Sequence, residues 1–162
     1  KNQGKKVKFF YTIPNFHNPG GYTMSQQKRR ALYEVALEHD LVILEDDPYS
    51  DLYFTEEIDQ YLPIKSLGNE AKIIYLGSFS KVMCPGFRLG WMVGDKDLIE
   101  KAALSKQSVD ACSSSFGQVA AYDYLENNET DINYIRKIFE GDQKVYASVL
   151  VNKMINDEKM FF

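Results

Sequence analysis

The chain has 162 residues, 44% of them hydrophobic and 26% charged, with a net charge of −4. This is about one domain of soluble, core-forming sequence, its acidic balance argues against nucleic acid as a partner, and no apolar run approaches the ~20 residues that span a bilayer. Cys84 and Cys112 carry neither metal-ligand spacing nor a disulfide framework, which suits a reducing cytoplasm and a site without metal.

Residues 7–13 (VKFFYTI) form a short apolar run that predicts a buried strand. Pro14-Asn15-Phe16-His17-Asn18-Pro19-Gly20-Gly21 follows, dense turn chemistry at the position where open α/β sheets bind ligands. Thr23 or Ser25 can cap a helix running to about His39, with Leu32, Val35, Ala36 and His39 on its inner side. Within it, Lys28-Arg29-Arg30 reads as solvated charge, because three consecutive helical residues point in different directions. Residues 41–44 (LVIL) predict a second buried strand, which ends in Glu45-Asp46-Asp47-Pro48-Tyr49 and completes a right-handed βαβ unit.

Residues 55–71 read as an exposed connection pinned by Tyr61, Leu62 and Ile64. Residues 72–77 (KIIYLG) predict a third buried strand, leading into the stretch Ser78-Phe79-Ser80-Lys81-Val82-Met83-Cys84-Pro85-Gly86-Phe87-Arg88-Leu89-Gly90. Here a lysine lies between two hydroxyls, with an arginine seven positions on. Nearby positive charge favours a neutral amine, and a neutral amine attacks aldehydes. Hydroxyls and a guanidinium together suit a phosphate monoester. Gly86 and Gly90 allow close backbone approach around Arg88, and residues 91–94 continue as a further strand in which Trp91 packs on the sheet. Asp95 can cap a helix to about Lys106, with Leu98, Ile99, Ala102 and Ala103 on one face. A polar turn over 108–115, a helix over 116–126 and a long helical pattern over 131–156, interrupted by Gly141, complete the chain.

Three of these stretches together resemble the fold-type I pyridoxal-phosphate aminotransferases of class I/II, above all the aromatic and 2-aminoadipate aminotransferase group. They are S-x-S-K followed by P-G-x-R-x-G-W (Ser78 to Trp91), P-N-F-x-N-P-x-G (Pro14 to Gly21) and the D-x-x-Y pair Asp46 and Tyr49. The resemblance implies pyridoxal 5'-phosphate as cofactor, held as a Schiff base on Lys81. It implies Ser78, Ser80 and Arg88 for the phosphate, Asp46 for the pyridine nitrogen, and Tyr49 and Asn18 for the ring oxygen. A registry with Asp47 as the nitrogen's partner competes, and the three-residue spacing to Tyr49 selects Asp46. Gly20 stands where the family usually has threonine, and His17, where it often has glutamine, is taken as loop structure. Ser113 to Ser115 correspond to a serine-rich segment near the partner's cofactor in family dimers.

The expected fold is therefore α/β, a three-layer α/β/α sandwich with a mainly parallel sheet. Residues 1–128 would be the second half of the cofactor-binding large domain, and 129–162 a long helix leading toward a small domain outside this chain. The family's substrate-carboxylate arginine, its ring-stacking aromatic side chain and the other half of its phosphate cup have no counterpart in 1–162, so the chain is expected to be an internal fragment, inactive by itself. The implied activity of the parent is transamination of an L-α-amino acid to a 2-oxo acid, in a cytoplasmic homodimer. A lyase on the same scaffold, or the effector domain of a winged-helix transcription regulator, would share these residues.

Overall fold

The computed structural model describes residues 7–53 and 58–126. Four strands, β1 (Phe9–Thr12), β2 (Val42–Asp46), β3 (Ile73–Ser78) and β4 (Gly90–Val93), form one sheet in the order of the chain. The first three run parallel, as the alternation of elements predicts, and β4 returns antiparallel to β3. Helix α1 (Gln26–Glu38) joins β1 to β2, whereas 3-10 turns at Ile58–Tyr61 and Ile64–Leu67 lie between β2 and β3. Helices α2 (Lys96–Gln107) and α3 (Ser115–Glu126) follow β4. This is the expected α/β class.

Strand alternation divides the sheet into two faces. One carries Ile43 and Ile73 and is covered by Tyr33 and Ala36 of α1, with Ile64 and Ala71 completing the buried cluster. The inner side of α1 is Arg29, Tyr33 and Ala36 with Leu32 packed beside them, so Leu32 and Ala36 of the expected stripe face the core while Val35 and His39 do not. Val35 is exposed instead, because the helix turns its 29–33–36 side to the sheet. Ser25, not Thr23, is the N-cap and accepts from the Lys28 N–H at 3.4 Å.

The strands are less buried than their composition predicts. Among the described residues β1 lies at one edge of the sheet with Phe9, Phe10 and Tyr11 all exposed, and β2 buries only Ile43 and Glu45. Tyr61 and Ile64 do pin the connection, but Leu62 is exposed. Trp91 packs on the sheet as predicted, crossing Gly77, where a Cβ would lie 2.2 Å from the indole, and meeting the Tyr75 ring at 5.3 Å. Gly90 makes the predicted close approach, 2.9 Å from its would-be Cβ to the Gly77 carbonyl, whereas a Cβ at Gly86 would have ordinary room. Asp95 occupies the N-cap of α2 without a side-chain cap bond. The helical pattern over 131–156 lies outside the described residues.

Candidate functional site

The parallel register, with Thr12 beside Glu45 and Asp46 beside Leu76, brings the carboxyl ends of three strands to one edge of the sheet. From that edge emerge the 13–24 loop, the 46–49 turn and the lysine stretch. Ser78 is the last residue of β3, and its Oγ accepts the Ser80 N–H at 3.1 Å. The next turn closes on the Phe79 carbonyl, which accepts from Met83 (2.9 Å) and Cys84 (3.1 Å). It leaves Lys81 exposed, with Nζ 5.8 Å from the centroid of the Tyr49 ring. Phe79, Leu89 and Ala121 bury themselves beneath, anchoring the stretch on α3.

Arg88 caps the 3-10 turn Pro85–Phe87 in a left-handed conformation, φ 50°, and is exposed. Such backbone is uncommon for a side chain other than glycine and clusters at functional sites. Asn18 is exposed in the 13–24 loop, and its peptide bond to Pro19 is cis. The His17 ring stacks on Tyr22 at 4.5 Å and its Nδ1 accepts the Gly20 N–H, so His17 does act as loop structure. Lys81 Nζ thus lies over the Tyr49 ring, whereas Asn18 and Arg88 stand at the same edge on loops of their own.

The two adjacent aspartates differ in environment. Asp46, at the end of β2, points to the sheet face opposite α1, the face that Tyr11 and Ser78 also share. It is half-buried and accepts the Tyr11 hydroxyl at 2.5 Å. Asp47 is buried, with both oxygens bound by Asn15 Nδ2 at 3.0 and 3.1 Å and Oδ2 also by the Tyr75 hydroxyl at 3.0 Å. Burial pushes its carboxyl above the ordinary range, while bonds from Asn15, Tyr75 and Ser50 and the charge of Arg29 draw it back.

Arg29 is fully buried, a correction to its reading as solvated charge. Its Nε donates to the Met24 carbonyl (2.9 Å), Nη1 to Leu62 (3.0 Å), and Nη2 to Pro14 (3.2 Å) and to Asn15 Oδ1 (2.6 Å). Burial pulls the guanidinium below its ordinary value, and Glu45 and Asp47 pull it back up, so it remains charged. Asn15 Nδ2 also donates to the Tyr61 carbonyl at 3.1 Å. One guanidinium therefore ties the 13–24 loop, the acidic turn and the 58–67 connection together. Sequence reasoning missed Tyr11, Asn15, Arg29 and Glu45; for Arg29 the available signal was its spacing to Tyr33 and Ala36, one turn apart on the same side of the helix.

Glu45 is buried and accepts the backbone N–H groups of Ile64 (2.6 Å) and Lys65 (2.9 Å). Burial pushes it from its ordinary 4.5 to about 7, against those two bonds. A folded value above the unfolded one means that the folded state holds the proton more tightly. The contribution of Glu45 is then full below about 4.5 and lost as pH rises through about 7. Glu45→Gln, which forfeits one acceptor, is expected to lower stability by about 1–3 kcal/mol. It should also flatten the fall in urea midpoint across that window; an unchanged slope would assign the titration elsewhere.

Amine, phenol, carboxylate, hydroxyls and guanidinium on loops at one sheet edge form a donor set suited to a small ring bearing a carbonyl and a phosphate. Among the described residues no cluster of three His, Cys, Asp or Glu could hold a metal ion. The mostly parallel α/β sheet thus carries these polar groups at its carboxyl edge, where open sheets of this kind bind ligands.

The family model for aminotransferase class I and II matches residues 1–156. The chain belongs to that family. Aromatic-amino-acid aminotransferase 1 of Thermococcus litoralis is 45% identical over 140 residues, 86% of this chain and 33% of that protein. The crystal structure of Pyrococcus horikoshii kynurenine aminotransferase, in complex with PMP, superposes with a TM-score of 0.82 at 45% identity, covering 92% of this chain and 37% of that one. The HTH-type transcriptional regulator YisV of Bacillus subtilis is 40% identical over 129 residues, 78% of this chain and 26% of that protein. The chain thus spans about a third of the length of the aminotransferases it matches.

Proposed function

We propose that the full-length protein is a pyridoxal-phosphate-dependent aminotransferase that converts an L-α-amino acid to its 2-oxo acid. The observation that carries this reading is the gathering of the Asn18 loop, the Asp46–Tyr49 turn and Lys81 at the ends of three neighbouring strands, with Lys81 Nζ 5.8 Å from the Tyr49 ring centroid. The donor set fits the cofactor group by group. Lys81 supplies the amine for its aldehyde carbon. Ser78, Ser80 and Arg88 bind the phosphate, and Tyr49 and Asn18 donate to the ring oxygen. Asp46 rather than Asp47 faces the ring nitrogen, because Asp47 is already bound by Asn15 and Tyr75.

When bound, the cofactor supplies an electron sink for the carbanion left when the substrate α-carbon loses its proton. Asp46 holds a proton on the ring nitrogen, which keeps that sink positive. Lys81 Nζ would take the proton from the substrate α-carbon as a general base and then, as the ammonium, hand that same proton on as an acid. In the same reading the protein is a cytoplasmic homodimer. Its cysteines are unpaired, and Phe116, Val119, Tyr122 and Leu125 leave an apolar side of α3 open to be covered. The likeness to YisV keeps a second reading in view, an effector domain that binds cofactor beside a DNA-binding module.

Borohydride treatment of the cofactor-loaded full-length protein is expected to fix the label on Lys81, located by peptide mapping. A label on another lysine that persists in Lys81→Ala would overturn the assignment. Turnover of an amino acid with a 2-oxo acid separates the enzyme from the regulator.

A further inference from the structure

Tyr11 lies in an apolar run with no catalytic signature, yet its hydroxyl makes one of the shortest polar contacts around the site, 2.5 Å to Asp46 Oδ2. The contact follows from the sheet. β1 and β2 pair in parallel with Tyr11 opposite Leu44, so Tyr11 and Asp46 share a face, two residues apart along the strand direction. A tyrosine side chain is long enough to cover that offset and reach the carboxylate at the strand end. We propose that Tyr11 is a positioning residue for the cofactor-nitrogen carboxylate: its O–H occupies Asp46 Oδ2, fixes the side-chain rotamer, and presents Oδ1 to the ring nitrogen.

The role rests on the reading of Asp46 given above and extends it to a residue outside the motif set. A hydroxyl donated to a carboxylate forms a charge-assisted bond, stronger than one between neutral groups. It therefore strengthens the arrangement in which Asp46 is ionised and the ring nitrogen protonated. The titratable groups facing Tyr11 among the described residues are Asp46 and Tyr49, and Lys81 lies over the Tyr49 ring. Burial and the bond to Asp46 push the Tyr11 phenol up to about 12, so it remains a donor throughout the working pH range. Tyr11 itself is half exposed among the described residues, so removing only its oxygen leaves the ring's packing in place.

The test is a pH titration of the visible absorbance of the full-length, cofactor-loaded protein. A protonated ring nitrogen repels a proton on the Lys81–cofactor linkage, so weaker retention of the ring proton lets the linkage keep its own to higher pH. Tyr11→Phe is expected to raise the absorbance midpoint by about one unit and to lower kcat by roughly 10-fold. KM should change little, because phosphate and ring-oxygen contacts are untouched. Replacing Tyr11 by p-aminophenylalanine, which carries an N–H donor at the same reach, should recover part of the shift, a rescue that lost packing would not show. In an Asp46→Ala background Tyr11→Phe should produce no further shift. A wild-type midpoint in Tyr11→Phe, or the same shift with Asp46 absent, would overturn the inference while leaving the function standing. A wild-type protein with no borohydride-fixable absorbance on Lys81 would instead remove the function on which it rests.

Discussion

Asp46→Ala in the full-length protein is expected to cut transamination by roughly 10²–10³-fold, the scale of losing one preorganised electrostatic group. Fold and cofactor retention should largely persist. Two features of the structure separate these outcomes. Asp46 is half-buried at a strand end and faces away from the α1 core, so its loss opens no cavity there. The proposed phosphate ligands Ser78, Ser80 and Arg88 come from a different strand end, so the cofactor keeps its principal charged anchor. Steady-state kinetics beside a cofactor titration measure both. Full activity would show that another group holds the ring proton.

Arg29→Met is expected to have the largest effect on stability, about 3–5 kcal/mol, the cost of removing one partner from a buried charged network. The substitution deprives the Met24, Leu62 and Pro14 carbonyls and Asn15 Oδ1 of a donor, and leaves Asp47 and Glu45 without the cation that offsets their burial. Against a typical domain stability of ~5–15 kcal/mol, that is a large fraction. Arg29→Lys should not restore it, since one ammonium cannot serve acceptors arranged around a planar fork. Urea denaturation of the two variants beside wild type checks this. An Arg29→Met midpoint within about 1 kcal/mol of wild type would show that the guanidinium is compensated locally.

These two residues also show which features were legible before any coordinates. The strand–loop punctuation at Ile13-Pro14, Asp47-Pro48 and Gly77-Ser78 placed the three polar stretches at strand ends, because proline and glycine act locally. The parallel pairing of β1 with β2 and of β2 with β3 followed from the alternation of elements. Burial was less legible. Composition alone does not reveal that β1 takes the outer place among the four described strands, so Phe9 and Phe10 were expected inside and are exposed here. Arg29 was the converse, since its charge argued for solvent while its acceptors come from Pro14, Asn15 and Leu62, too distant in sequence for any local pattern to announce. The Tyr11–Asp46 contact spans 35 positions and depends on strand register, which periodicity does not fix between separate strands.

The order β1-β2-β3-β4 follows the chain itself, each strand pairing with the one made just before it. Among the described residues no strand has to wait for a distant partner or be inserted between two already paired, so the loop that closes at each of these steps is short. On the ribosome such a sheet is expected to grow by accretion, as N-terminal segments emerge first. The polar stretches would be delivered in the same sequence: first the Asn18 loop, then Asp46 with Tyr49, then the lysine, and last Arg88 on the way into β4.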